Sequence, residues 1–464
     1  MEDKNNLGSA PVGKLMVKLA IPAVCAQLIN ALYNIVDRMY IGHMEEVGDL
    51  ALTGLGVAFP IIMFISALSA LAGMGGGSRA AIRMGEGDID GAEAILGGCT
   101  ALLLMMAALS TALFQVFKEP LLLLFGASEN TLPYASGYLS IYLWGTVSVL
   151  FSLGLNNFIT TQGFAAFSML TVVIGAVCNI ILDPIFIFGL HMGVQGAALA
   201  TILSQSVSAA WVLSFLLGRR TLLHLRLRHL RLRAEVLLPV VAIGVSPFIM
   251  QATESLVSIS FNSSLKLYGG DPYVGAMTIA SSVMQVGTMP LHGLAQGAQP
   301  IIGFNFGAGN LDRVRRAFRL LFISCLAFTV TIWALVELFP GVFIAIFNDK
   351  PALTEIARRT LQVYFGGIFM FGVQSSCQQT FVALGEAKIS LFLALLRKII
   401  LLIPLIFILP LILSDQVFAV WLAEPIADIC AATVTGCIFF YRFPRTLKRR
   451  EETLRHGRAQ GGTP

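Results

Sequence analysis

Residues 15–41 read LMVKLAIPAVCAQLINALYNIVDRMYI, an apolar run long enough to cross a lipid bilayer, with a carboxylate, Asp37, inside it. The other uncharged polar residues of its middle, Gln27, Asn30 and Asn34, are spaced so that a helix carries all three on one face with Asp37. A charge at bilayer depth costs on the order of a few kcal/mol. It persists where it faces a bundle interior or a water-filled path, so the stretch predicts a membrane-spanning helix with a functional polar seam. The plainer alternative is an aspartate paired with Asn34 or with a neighbouring helix.

Composition agrees with that reading over the whole chain. The hydrophobic share is 56%, the charged share 12% and the mean hydropathy +0.80, outside the range of a soluble domain. Apolar runs of about 20–28 residues recur about twelve times, which predicts an all-α polytopic membrane protein with about twelve transmembrane helices.

Basic residues set the expected orientation. With the N-terminus inside, Lys4, Lys14, Lys18, Arg79, Arg83, the arginines of 219–233, Arg313 to Arg319, Lys388 and the basic tail fall on the inner side. Only Lys118, Lys266, Lys350, Arg358 and Arg359 fall outside. The positive-inside rule then predicts a multi-pass protein of the cell (plasma) membrane with both termini cytoplasmic. The net charge of +5 is explained by segments beside lipid headgroups, so no nucleic-acid partner is expected. The arginines of 219–233 read as a linker lying on the anionic leaflet. All seven cysteines fall in spans without metal-ligand spacing and read as packing residues.

The chain repeats itself. Gly85-Glu-Gly-Asp-Ile-Asp matches Gly307-Ala-Gly-Asn-Leu-Asp at an offset of 222, and Tyr142 with Tyr364 and Gly163 with Gly385 keep that offset. Pro22 and Asp37 are separated as Pro247 and Asn262 are. Six spans in each half insert the same way up, a recurring plan for secondary transporters. The predicted organisation is an N-terminal six-helix lobe (1–218), a cytoplasmic Arg-rich linker (219–235), a C-terminal six-helix lobe (236–443) and a basic tail (444–464). The repeat breaks at the polar positions: Asp37 maps to Asn262, Asn179 to Leu401, and Asp183 to Leu405. The N-terminal half is therefore the better candidate for ion coupling.

In the fifth span Asn179 and Asp183 lie one turn apart, and Pro184 loosens the helix at its end. Counting residues from the outer ends puts Asp37 and Asp183 at matching depth, and the sixth span brings Thr201 to a comparable depth. Two carboxylates in one low-dielectric cavity cannot both stay ionised cheaply. With an amide oxygen and a hydroxyl, they form a set able to hold a proton or a sodium ion. A static hydrogen-bonded plug is the bland alternative. Pro22 supplies a hinge in the first span.

The run Asn30-Ala-Leu-Tyr-Asn-Ile-Val-Asp-Arg-Met-Tyr-Ile-Gly-His43 resembles the first-span signature of the multidrug and toxic compound extrusion (MATE) family. Gly193-Val-Gln-Gly-Ala-Ala-Leu-Ala-Thr201 and Trp421-Leu-Ala-Glu-Pro-Ile-Ala-Asp428 resemble that family too, and the likeness covers about residues 14–443. It implies two pseudo-symmetric six-helix lobes forming a V around a central cavity, and cation-coupled efflux of small amphipathic, often cationic compounds. The family's cation site falls on Asp37, Asn179, Asp183 and Thr201, its bending proline on Pro22, and its span-seven acid on Glu254. Where some relatives place another acid in span ten, this chain has Gln374 and Gln378, which puts a second sodium site of their kind in doubt.

The expected substrate cavity is lined by Gln27, Asn30, Asn34, Gln251, Glu254, Asn262, Gln285, Met289, Gln374 and Gln378. A soft stripe of this kind suits a promiscuous surface. Arg397, Lys398, Glu424 and Asp428 read as buried ion pairs within the C-terminal lobe, which Glu254 could join; Arg38 reads as snorkelling to the interface. A lipid-linked-precursor flippase of the same superfamily would want a more cationic cavity. A membrane-embedded enzyme would want clustered ligands or loop aspartates, and the histidines are scattered, so no enzyme and no cofactor are expected. The nearest approach to a phosphate loop, Gly8-Ser-Ala-Pro-Val-Gly-Lys-Leu15, lacks the hydroxyl after its lysine, so no nucleotide is expected. Energy would come from a proton or sodium gradient.

Overall fold

The computed structural model describes residues 6–44, 47–346 and 351–459, and every regular element among them is a helix. Leaving aside two short helical turns, Leu227–His229 and Pro340–Ala345, these are in chain order α1 (Val12–Gly42), α2 (Gly48–Gly85), α3 (Ile89–Leu124), α4 (Leu132–Trp144), α5 (Thr146–Thr161), α6 (Ala165–Gly189) and α7 (Gly193–Leu217). There follow α8 (Ala234–Tyr268), α9 (Asp271–Gly307), α10 (Leu311–Leu338), α11 (Pro351–Phe365), α12 (Ile368–Ala383), α13 (Ala387–Ile412) and α14 (Gln416–His456).

Among the described residues nine helices are long and apolar enough to cross a membrane, and α4 with α5, bent by 65°, makes a tenth. The two remaining expected spans are occupied by α9 and by α11 with α12, which are helical but more polar. The reason is local: α9 carries Gln285, His292, Gln296, Gln299 and Asn305, and α11 carries Glu355, Arg358 and Arg359.

The repeat is visible in the backbone. Gly87 and Gly309, 222 residues apart, both take the left-handed conformation, at φ of +80° and +76°. Gly163 and Gly385 do the same at +86° and +77°. These four turns need glycine because a Cβ is strained there. The breaks before Thr146 and before Ile368 also keep the offset.

Packing divides the chain into two compact units, residues 21–252 and residues 1–20 with 253–464. The division falls inside α1 and α8 and not at the linker. In the first unit the opening half of α8 lies against α2 at glycine distance. A Cβ on Gly75 would stand 2.3 Å from the Val240 carbonyl oxygen, and one on Gly244 would stand 1.8 Å from that of Leu71. In the second unit, Arg313 donates to the carbonyls of Leu7 (3.0 Å) and Ala10 (2.7 Å), and Gly297 meets the backbone of Ala20. Its core includes the stacked rings of Phe318, Phe439 and Phe443.

The linker is held by protein groups. Buried Glu93 of α3 accepts from Arg226 Nε at 2.8 Å and from the His224 backbone at 3.1 Å, and Arg228 pairs with Asp90. Gln162 Oε1 accepts from Thr221 Oγ1 and from the backbones of Leu222 and Leu223. Two of the arginines expected against lipid thus have carboxylate partners, because the segment folds back onto the start of α3. All seven cysteines are free thiols.

Candidate functional site

Glycines bring the site's helices together. The bend between α4 and α5 is at Gly145, where a Cβ would stand 2.2 Å from Ile202 of α7. Gly193 opens α7 with a φ of +57°, and Gly196 lies against the backbone of Phe186 and Ile187. Gly175 of α6 leaves room for Ser208. After Pro184 the last turn of α6, Ile185–Gly189, widens to a π-helical turn, as expected where proline withholds a donor. The motif around Gly193 is therefore a packing device that places Thr201 against the Asp183 end of α6.

Asp37, Asn179, Asp183 and Thr201 are all buried, with exposures of 8%, 1%, 0% and 7%. Asn179 Nδ2 donates to Asp183 Oδ1 at 3.2 Å. The Asp37 and Asp183 carboxylates are close enough to interact directly. Thr201 spends its hydroxyl proton on the Ala197 carbonyl at 3.0 Å, so toward the site it offers lone pairs. Asp37 Oδ1, Asn179 Oδ1 and Asp183 Oδ2 have no hydrogen-bond partner. Buried acceptors without donors are costly, and three of them around two carboxylates favour a positive charge in their midst. The donor set is all oxygen, which fits a hard monovalent cation or a proton.

Two tyrosines complete the surroundings. Tyr33, one turn before Asp37, faces both carboxylates and Gln205, and Tyr138 of α4 faces Asp37 and Thr201. A cavity within the first unit is lined by Asn179 and Thr201 together with Asn30, Ser152, Asn156, Thr171 and Ser208. Its walls are tied by Ser152 donating to Gln205 Oε1 and Thr171 Oγ1 donating to Asn156 Oδ1 at 3.0 Å. Tyr33, Tyr138, Asn156 and Gln205 were not among the expected site residues. The available signal was helical spacing: Tyr33 precedes Asp37 by one turn and Gln205 follows Thr201 by one turn.

The seam on α1 is divided. Asn30 lines the cavity with Tyr33, whereas Asn34 is exposed and returns its amide to the Asn30 carbonyl at 2.6 Å. Gln27 is half-buried, and Arg38 sits over the Phe59 ring at 5.3 Å. Pro22 stays inside an unbroken α1, beside the point where that helix passes from one unit to the other.

The other expected lining residues sort by exposure. Gln251, Glu254 and Gln285 are exposed, and Asn262 and Met289 are half-buried. Gln374 and Gln378 are buried within the second unit, because α12 presses against α10, where Gly372 meets Cys325 and Thr329. Glu254 forms an ion pair with Lys398. Arg397 donates to Glu424 at 2.8 Å and to Asp428 at 2.7 Å, with its guanidinium over the Phe371 ring. Arg397 and Lys398 lie in a π-helical stretch, Leu396–Leu402, which turns consecutive basic residues toward different acids.

The MatE family model matches residues 22–185 and 247–408. The multidrug export protein MepA of Staphylococcus haemolyticus (strain JCSC1435) is 23% identical over 438 residues, spanning 94% of this chain and 95% of that protein. The protein of the same name from Staphylococcus saprophyticus is 24% identical over 447 residues, spanning 95% and 96%. Among solved structures, an outward-facing multidrug resistance MATE family transporter of the MOP superfamily superposes with a TM-score of 0.88. It is 25% identical and covers 96% of this chain and 98% of its own. A MATE structure in the bent conformation, 24% identical, shows the same fold at a TM-score of 0.90, over 97% and 99%.

Proposed function

Since the chain belongs to the MatE family of membrane transporters, we propose that it exports small amphipathic, often cationic compounds by exchange against a monovalent cation, proton or sodium. The supporting observation is the set of unpartnered buried oxygens on Asp37, Asn179 and Asp183. Cation binding there would neutralise a carboxylate and supply what those acceptors lack. Its release would leave two adjacent charges in a closed interior, a state of high energy. Such a site has two charge states that cannot share one environment, which is what coupling by alternating access needs. Asp37 and Asp183 would hold the cation, with Asn179 and Thr201 adding neutral oxygens, and Tyr33 and Tyr138 orienting the pair. The basic loops and tails would lie on the cytoplasmic side, with both termini, in the plasma membrane.

Purified protein in liposomes, loaded with a fluorescent organic cation under separately imposed pH and sodium gradients, tests this reading. Export driven by one of the gradients, and lost in Asp37→Asn, is the expected result. Export indifferent to both gradients would overturn it.

A further inference from the structure

Two of the six histidines, His224 and His229, fall in the linker with four residues between them, a spacing that zinc-binding segments use. Asp90 and Glu93, three residues apart, share a face of the first turns of α3. The linker folds onto that face. Its short helical turn Leu227–His229 packs against α3, where a Cβ on Gly97 would stand 2.6 Å from His229 Cβ. Histidine nitrogens from one segment thereby meet carboxylate oxygens from the other.

The distances approach those of a coordination shell. His229 Nε2 is 3.4 Å from Asp90 Oδ1, and His224 Nδ1 is 3.5 Å from Glu93 Oε1. Asp90, Glu93 and His229 each offer one ligand atom, and these three atoms lie within 4.8 Å of one another. In a tetrahedral shell with bonds of about 2.0–2.1 Å, neighbouring ligand atoms stand about 3.3 Å apart. The three need to draw together by about 1.5 Å at most, within the reach of side-chain rotation.

A positive charge already stands where the ion would. Arg228 donates through Nε to His229 Nε2 at 3.0 Å and also pairs with Asp90 Oδ1. His229 Nε2 is thus an acceptor, with its lone pair aimed into the cluster. The Arg228 side chain is 56% exposed, so it can swing into water at little cost. Arg226 holds the other side of the buried Glu93 carboxylate, at Oε2, 2.8 Å away. Glu93 Oε1 accepts the His224 backbone N–H at 3.1 Å and keeps a second lone pair.

We propose that Asp90, Glu93 and His229, joined by the half-exposed His224 ring, bind one divalent transition-metal ion of the zinc class. The ion would take the place of the Arg228 guanidinium and fasten the linker to α3. A mixed imidazole and carboxylate set suits zinc or cobalt, whereas magnesium and calcium take shells of oxygen.

The test uses the purified full chain with any affinity tag removed. Zinc binding is measured by calorimetry, cobalt binding by visible absorbance, and amide hydrogen exchange is followed across 222–230. The expected result is one zinc per chain and intense cobalt bands of tetrahedral type. Exchange in the linker should slow by about tenfold, since the metal adds a cross-link that local opening must break. Asp90→Asn and His229→Ala should each weaken zinc binding by about tenfold or more, at least the loss that removing a supporting residue causes. His229 packs on Gly97, so its loss could unsettle the linker; Asp90 is exposed, and Asp90→Asn should keep the melting temperature of the unsubstituted chain. Magnesium in large excess should not displace zinc. Failure of zinc to bind, binding that survives both substitutions, displacement by magnesium, or unchanged linker exchange in saturating zinc would each overturn the proposal.

Discussion

Asn179 donates its side-chain amide to Asp183 Oδ1 at 3.2 Å, one turn along the same helix, and leaves Asp183 Oδ2 with no donor. The pair thus orients one carboxylate oxygen and reserves the other. Asp37 presents its own unpartnered oxygen across from α6, and the proposed cation site rests on these oxygens.

Asp183→Asn should abolish gradient-driven export to the level of empty vesicles while the protein remains folded. The amide keeps the shape and some hydrogen bonds but cannot gain or lose charge. Export at the wild-type rate would remove Asp183 from the proposed coupling site; Asp37→Asn is expected to behave alike.

Pro22→Ala should leave ligand affinity within about twofold and slow turnover, because a restored backbone donor stiffens α1 where it passes between units. Equilibrium binding measured beside transport rate separates the two. An unchanged rate would make Pro22 an ordinary tolerated proline.

Glu254→Gln should act through Lys398. Losing the carboxylate charge takes one counter-charge from the buried Lys398 ammonium, at a cost of about 1–3 kcal/mol once the exposure of Glu254 is allowed for. A lowered melting temperature with equal weakening of cationic and neutral ligands is expected. Selective loss of the cationic ligand with no loss of stability would instead place Glu254 against the substrate.

Gly244→Val should destabilise the N-terminal unit by about 3 kcal/mol or more, since a Cβ there would lie 1.8 Å from the Leu71 carbonyl and α8 would have to leave α2. Thermal unfolding monitored by size-exclusion recovery reports it. A tolerated valine would contradict the close crossing of these helices.

Glu93→Ala should free the linker. Arg226 and the His224 backbone lose their shared acceptor, and cleavage by trypsin within 219–233 should accelerate by about tenfold, equivalent to roughly 1.4 kcal/mol of easier local opening. Unchanged cleavage would show that Gln162 holds the segment by itself.

Much of the molecule was legible in one dimension because the bilayer and the helix impose one-dimensional rules. Apolar run length marked the spans, and it faltered only at α9 and α11, where polar residues dilute the apolar signal without preventing a helix. The offset of 222 foretold the paired left-handed glycines, since a turn that forbids a Cβ leaves its mark in the residue type itself. Asp37 and Asp183 stood out because carboxylates are costly in such surroundings.

Which face of a helix is buried could not be read the same way. Tyr33 and Asn34 are neighbours in sequence, yet the first faces the carboxylates and the second is exposed. Lipid and protein interior are both apolar, so composition does not distinguish the two sides of α1. The pairing of Lys398 with Glu254, and of Arg397 with Glu424 and Asp428, likewise depended on a π-helical turn and on packing between distant segments. The amino-acid sequence by itself determined the spans, the repeat and the presence of buried acids, because each follows from local chemistry. Only the tertiary structure decided which groups meet, because that depends on how closely glycine-lined helices approach one another.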